Sequence, residues 1–165
     1  MKKIILTMLV ALPMSLFAQK FAHINSADII QAMPEYTTAQ TEMQAAAKQY
    51  EDELQRMQDE LKTKSEDFDK NQATLPDAVK QRRQQELQDL YQRLQQYAQT
   101  AEQELAKART EKMQAIQTKV LAAIKEVGNA GQYVYVMDIS SGIPYISETL
   151  STDVTATVKT KLGLK

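Results

Sequence analysis

Residues 43–68 read MQAAAKQYEDELQRMQDELKTKSEDF, and their apolar positions decide the fold. Met43, Ala47, Tyr50, Leu54, Met57, Leu61, Lys64 and Phe68 recur at alternating spacings of three and four, with Lys64 the one tolerated polar member. That is the heptad spacing of a helix with one narrow apolar seam. A second stripe begins after the break at Leu75 and Pro76 and runs through Leu87, Leu90, Leu94, Tyr97, Ala101 and Leu105 to Ile116, Val120 and Val127. Two arms with one break predict an antiparallel helical hairpin over 37–128. A turn centred near residue 74 pairs positions whose numbers sum to about 148, since each step outward on one arm matches one on the other. Met43 then meets Leu105, Ala47 meets Ala101, Tyr50 meets Ala98, Leu54 meets Leu94 and Leu61 meets Leu87.

At the break, Thr74 is the expected N-cap of the second arm, with Asp77 three residues on. Positive residues exceed acidic ones by only two between Lys62 and Gln84, so the tip reads first as a solvated helix end. Weak membrane-surface contact through acidic lipid headgroups is the alternative. Glutamines repeat along the second arm from Gln81 to Gln103, keeping helix propensity high without charge. Gly128 and Gly131 are expected to stop that helix.

The flanks are of another kind. Met1, Lys2 and Lys3 precede an apolar run from Ile4 to Phe17, and Ala18 before Gln19 offers a cleavage site, so residues 1–18 read as a secretory signal peptide cleaved after about Ala18. About 14 apolar residues fall short of the roughly 20 that a spanning helix needs. Loss of two lysines leaves 18 basic against 21 acidic residues, a net charge of −3 that gives no electrostatic case for nucleic acid. The absence of cysteine excludes a disulfide framework.

Lys20 to Asn25 alternates as a strand, and Ser26 or Asp28 is expected to cap a short helix that ends at Pro34. Tyr133 to Asp138 is strongly β-prone, a turn follows at Ser140, Ser141 and Gly142, and Ile143 to Ser147 reads as the second strand of a hairpin. Ser151 or Thr152 then caps a last helix striped by Val154, Val158 and Leu162. These flanks, 19–36 with 129–165, form a β-rich body whose exposed edges and small core call for oligomerisation. Ile24, Tyr133, Val134, Tyr135 and Val136 are the oligomerisation candidates. His23, the one histidine, stands without cysteines or an acidic cluster at ligand spacing and reads as structural. No nucleophile constellation, metal set or glycine-rich phosphate loop is present in the sequence, so neither an enzyme nor a cofactor is expected.

Taken in order, the signal, the strand, the helix at Asp28, Ile29 and Ile30 ending at Pro34, the long hairpin carrying Leu54, Gln55, Arg56 and Met57, the segment from Val136 and Met137 through Ile143, Pro144 and Tyr145, and the run from Asp153 to Val158 resemble the periplasmic chaperones of the Skp (OmpH-like) family. The resemblance covers essentially all of residues 19–165. It implies an α+β homotrimer: a long antiparallel coiled-coil hairpin projects from a small β-rich trimerisation body, and three hairpins enclose a cavity. It implies ATP-independent holding of unfolded outer-membrane β-barrel proteins in the periplasm. This chain is slightly acidic, whereas the best-known member of the family is strongly basic. Client-contact candidates on the arms are Tyr50, Met57, Phe68, Tyr91, Tyr97 and Met113. The competing expectation is an exported structural coiled coil, a spacer or adaptor with one defined partner.

Overall fold

The structure is a computed structural model that describes residues 19–164; the expected signal peptide and its cleavage site lie outside the described residues. Seven elements follow in order: β1 (Lys20–Ile24), α1 (Ser26–Ala32), α2 (Pro34–Asn71), α3 (Asp77–Gly131), β2 (Tyr133–Asp138), β3 (Ser151–Asp153) and α4 (Thr155–Lys161). They divide into two compact units, Ile30–Lys119 and the chain up to Ile29 together with Val120 onward. Among the described residues no helix is long and apolar enough to cross a membrane.

The first unit is the hairpin. α2 has 38 residues and α3 has 55, so α2 alone is about 57 Å long at about 1.5 Å per residue. Pro34 opens α2 at the position where a missing N–H costs nothing, three residues before the expected start. The break falls where Pro76 places it: Val79 N and Lys80 N donate to Pro76 O at 2.9 and 3.0 Å. Thr74 is not the N-cap of α3. Its hydroxyl turns back and donates to Asn71 O at 2.9 Å, satisfying a carbonyl at the end of α2 instead.

Antiparallel pairing follows the expected register at Tyr50, whose ring lies 6.0 Å from that of Tyr97, one residue from the predicted partner. The ion pairs across the hairpin are offset in one direction: Lys64 meets Glu86, Glu42 meets Lys112 and Glu35 meets Lys119. All helical side chains lean toward their own N-terminus, so on antiparallel helices the two members of a long polar pair lean toward each other along the axis. Partners that meet at their tips therefore carry larger numbers than partners that meet at their backbones.

The second unit is built on β1, which lies between β2 and β3. Both pairings are parallel, with Ala22 opposite Val136 and Thr152, and Phe21 opposite Tyr135 and Ser151. Ala22, His23 and Ile24 are buried, as the middle strand of a covered parallel sheet requires. Around them pack Ile29 of α1, Val120, Ala123 and Val127 from the last turns of α3, and Val154 and Val158 at α4. Gly128 does not stop α3, which continues to Gly131. A side chain at Gly128 would begin 3.4 Å from Val136 Cγ2, so its absence lets β2 approach the helix. Gln132 takes the left-handed conformation at φ 55° that ends the helix.

The expected β-hairpin is corrected. Ile143–Ser147 forms no strand; the third strand is Ser151–Asp153, and the sheet is parallel. Pro144 lacks the N–H that a ladder needs, whereas the later segment has Val154 N donating to His23 O at 2.9 Å. The caps shift as well. Asn25 Oδ1, not Ser26 or Asp28, accepts from Asp28 N at 3.3 Å to start α1, and Asp153 Oδ1, not Ser151 or Thr152, accepts from Thr155 N at 2.8 Å to start α4.

Ile24 is 2% exposed and belongs to the core of the protomer. We expect Ile24→Ala to lower unfolding stability by about 2–5 kcal/mol, the usual cost of a large-to-small change in a packed core. Denaturant titration followed by circular dichroism measures it; an unchanged midpoint would place Ile24 outside the core.

Candidate functional site

A seam between only two helices buries little, and this one buries few residues completely. In the hairpin unit Ala39, Leu90, Ala101 and Ile116 are buried, while Met43, Leu54, Met57, Leu61 and Phe68 are half-buried. Lys64, the polar intruder in the heptads, is half-buried and answered from α3 by Glu86. Ala47, expected to face Ala101 inside the seam, is exposed and lines an open groove. Apolar surface thus remains available along both helices, beside glutamines and a few charged side chains.

The arm candidates fall into different settings. Tyr50 and Tyr97 pack on each other, tilted by 57°, and hold the helices together. Met57, Phe68 and Met113 are half-buried at the margins of the seam, and Tyr91 stands 51% exposed. Sequence reasoning missed Tyr36 and Arg109, which gather with the seam residue Met43 and with Met113 around a groove between the helices. The signal for it was the small-residue spacing of Ala39, Ala47 and Ala106, which leaves room where larger residues would close the seam.

In the second unit the oligomerisation candidates separate. Ile24 is internal, Val136 packs toward Gly128, and Tyr133 is half-buried. Val134 and Tyr135 are 58% and 49% exposed on β2, an edge strand with one side unpaired among the described residues. Tyr135 stacks on Phe21 at 4.9 Å between ring centroids. Tyr145 and Leu150, which sequence reasoning did not single out, are 79% and 75% exposed.

Polar groups in this unit are held as structure. His23 Nδ1 lies 2.9 Å from Ser151 Oγ, joining β1 to β3. Ser26 Oγ donates to Asp138 Oδ2 at 2.5 Å, and the Ser26 and Ser140 N–H groups donate to Asp138 Oδ1. Partial burial opposes ionisation of Asp138, but these donors outweigh it and hold the carboxyl below its usual range. In the hairpin, hydrogen bonds from Lys64 and Lys119 lower Glu86 and Glu35 respectively. Glu86 in turn raises Lys64.

A family model described as "Outer membrane protein (OmpH-like)" matches residues 20–162, and the chain belongs to that family. Among solved structures, the fold is similar to that of a candidate outer membrane chaperone (OmpH-like) from Caulobacter crescentus CB15. The identity is 14% and the TM-score 0.76, covering 87% of this chain and 83% of that one. No curated protein matches the chain at a significant level.

The acid response follows from the lowered carboxylates. A carboxylate held down by a partner adds stability above its unfolded value, near 4.5 for glutamate, and loses it as pH falls through the lower folded value. Thermal melting should therefore be flat from pH 8 to about 6 and fall in acid below about pH 4.5. The acid loss should be smaller in a Glu35→Gln, Glu86→Gln variant. An equal loss in the variant would show that these two cross-helix pairs do not carry the response.

Proposed function

We propose that this protein is a periplasmic, ATP-independent holdase that binds unfolded outer-membrane β-barrel proteins between the hairpins of a homotrimer. Family membership supports the class, and so does the likeness in fold to a protein described as a candidate chaperone. The observation that carries the mechanism is the half-open seam: apolar side chains exposed in part along two long helices and lining open grooves. Such a surface offers many weak contacts, each quickly broken, whose sum holds an unfolded chain.

An unfolded barrel exposes alternating apolar residues and unpaired backbone groups that would join other chains. Enclosure suppresses that encounter, and the client leaves when folding into a membrane hides the surface it offered. No nucleotide enters this cycle. The division of labour runs between residues 37–128 as the arm and 19–36 with 129–165 as the oligomerising body. Assembly uses β2, whose free edge and exposed Val134 and Tyr135 present both backbone groups and apolar area.

Two experiments test this reading. Diluting a urea-denatured outer-membrane barrel protein with the purified protein, without nucleotide, should suppress light scattering at about one trimer per client; undiminished aggregation beside a well-folded assembly would favour the single-partner adaptor. Val134→Asp with Tyr135→Asp should convert the assembly to monomers in size-exclusion chromatography with light scattering while helicity is kept. A surviving trimer would place the interface elsewhere.

A further inference from the structure

The seam of the hairpin opens into two successive grooves of opposite charge. The groove at Tyr36, Met43, Ala47 and Met113 has a volume of about 590 Å³, with Arg109 and Lys112 on its rim and no carboxylate among its lining residues. The next, of about 680 Å³, shares Ala47 and Leu105 with the first, and its charged lining residues are Glu51 and Glu102. Positions 36, 40, 43, 47, 51, 54 and 58 lie three or four apart on one face of α2, and 98, 102, 105, 109 and 113 do the same on α3. The grooves are consecutive stretches of one channel whose charge reverses at Ala47 and Leu105.

The cations of the first stretch are not equivalent. Lys112 is occupied by Glu42, whereas Arg109 forms no ion pair among the described residues. An arginine fork beside thioether and phenol surface can bind a carboxylate through two parallel hydrogen bonds while an apolar side chain fills the space next to it. Along α3, Arg109 and Glu102 are seven residues apart, about 10 Å of axial rise. An extended polypeptide covers that distance in about three to four residues, and of these spacings only the one of about four puts both side chains on the same side.

We propose, resting on the chaperone reading above, that this channel is a subsite selecting extended client segments in which an acidic and a basic residue, about four positions apart on one side of the strand, flank an apolar side chain between them. The carboxylate pairs with Arg109, the apolar side chain enters the groove between Met43, Ala47 and Leu105, and the cation faces Glu102 and Glu51. Segments carrying two cations are disfavoured because the first meets Arg109. The selection is a modest bias laid over general apolar affinity.

Three fluorescent 12-residue peptides with one apolar core test it by anisotropy against the full chain at low salt. They carry Glu and Lys about four positions apart, Gln at both positions, or Lys at both. The Glu/Lys peptide should bind about two- to fivefold more tightly than the other two, the range for exposed ion pairs. Arg109→Gln, on an exposed helical face where glutamine is a good helix former, should erase the advantage of Glu/Lys over Gln/Gln while helicity is unchanged. Equal binding of all three peptides, or an advantage that survives Arg109→Gln, would overturn the subsite. Binding of none of them would overturn it too, and scattering assays on the same preparation separate the cases: retained suppression leaves the holdase reading standing, and lost suppression removes both.

Discussion

The apolar seam between α2 and α3 is the constraint on which the hairpin depends. Each helix contributes one narrow stripe, and two stripes laid together leave their outer margins in water. The packing of Tyr50 on Tyr97 and the cross-helix pairs of Lys64, Lys112 and Lys119 fix the register without closing the seam. Surface ion pairs of this kind stabilise little individually. Their contribution is alignment, since sliding one helix by a full turn, about 5.4 Å, would separate the partners. Incomplete burial would be a weakness in an enzyme scaffold, but it leaves the adaptable apolar surface on which the proposed holdase function rests.

The other unit solves a different problem, how to fasten chain segments far apart in sequence. β1 pairs in parallel with β2 and β3, so one strand joins residues 20–24 to 133–138 and 151–153. Short polar links lock the arrangement: Ser26 to Asp138 at the end of β1, and His23 to Ser151 across to β3. Those links explain why the lone histidine sits inside the sheet with a hydroxyl partner. β2 keeps its outer edge, and the apolar side chains around it are of the kind that a second copy would cover.

The hairpin was legible because its signal is periodic and long. Three- and four-residue spacings over dozens of positions fix helix, face and pairing together, and Tyr50 found a neighbour one residue from its expected partner. The body was legible only as a class. A run such as Tyr133 to Met137 announces a strand but not its direction, because parallel and antiparallel pairing draw on the same alternating residues. Pro144 was the overlooked warning against the strand at 143–147. Capping assignments failed where several polar residues lay together: Asn25 beside Ser26 and Asp28, and Asp153 beside Ser151 and Thr152, with the hydrogen bond going to whichever side chain the fold turned toward the free N–H. Ile24 was misplaced because a strand's sequence does not say whether it will be central: β1 lies between β2 and β3 and is buried on both faces. The groove at Arg109 was hidden because it arises from what alanines leave empty.

The proposed holding of clients by the seam makes a spatial claim that hydrogen–deuterium exchange can test directly. With a saturating unfolded barrel client, added protection should concentrate in residues 36–58 and 98–113, where the open grooves lie, and leave β2 and the turn at 72–76 unchanged. Protection confined to β2 or to the turn, with the groove-lining stretches of α2 and α3 unaffected, would contradict the account.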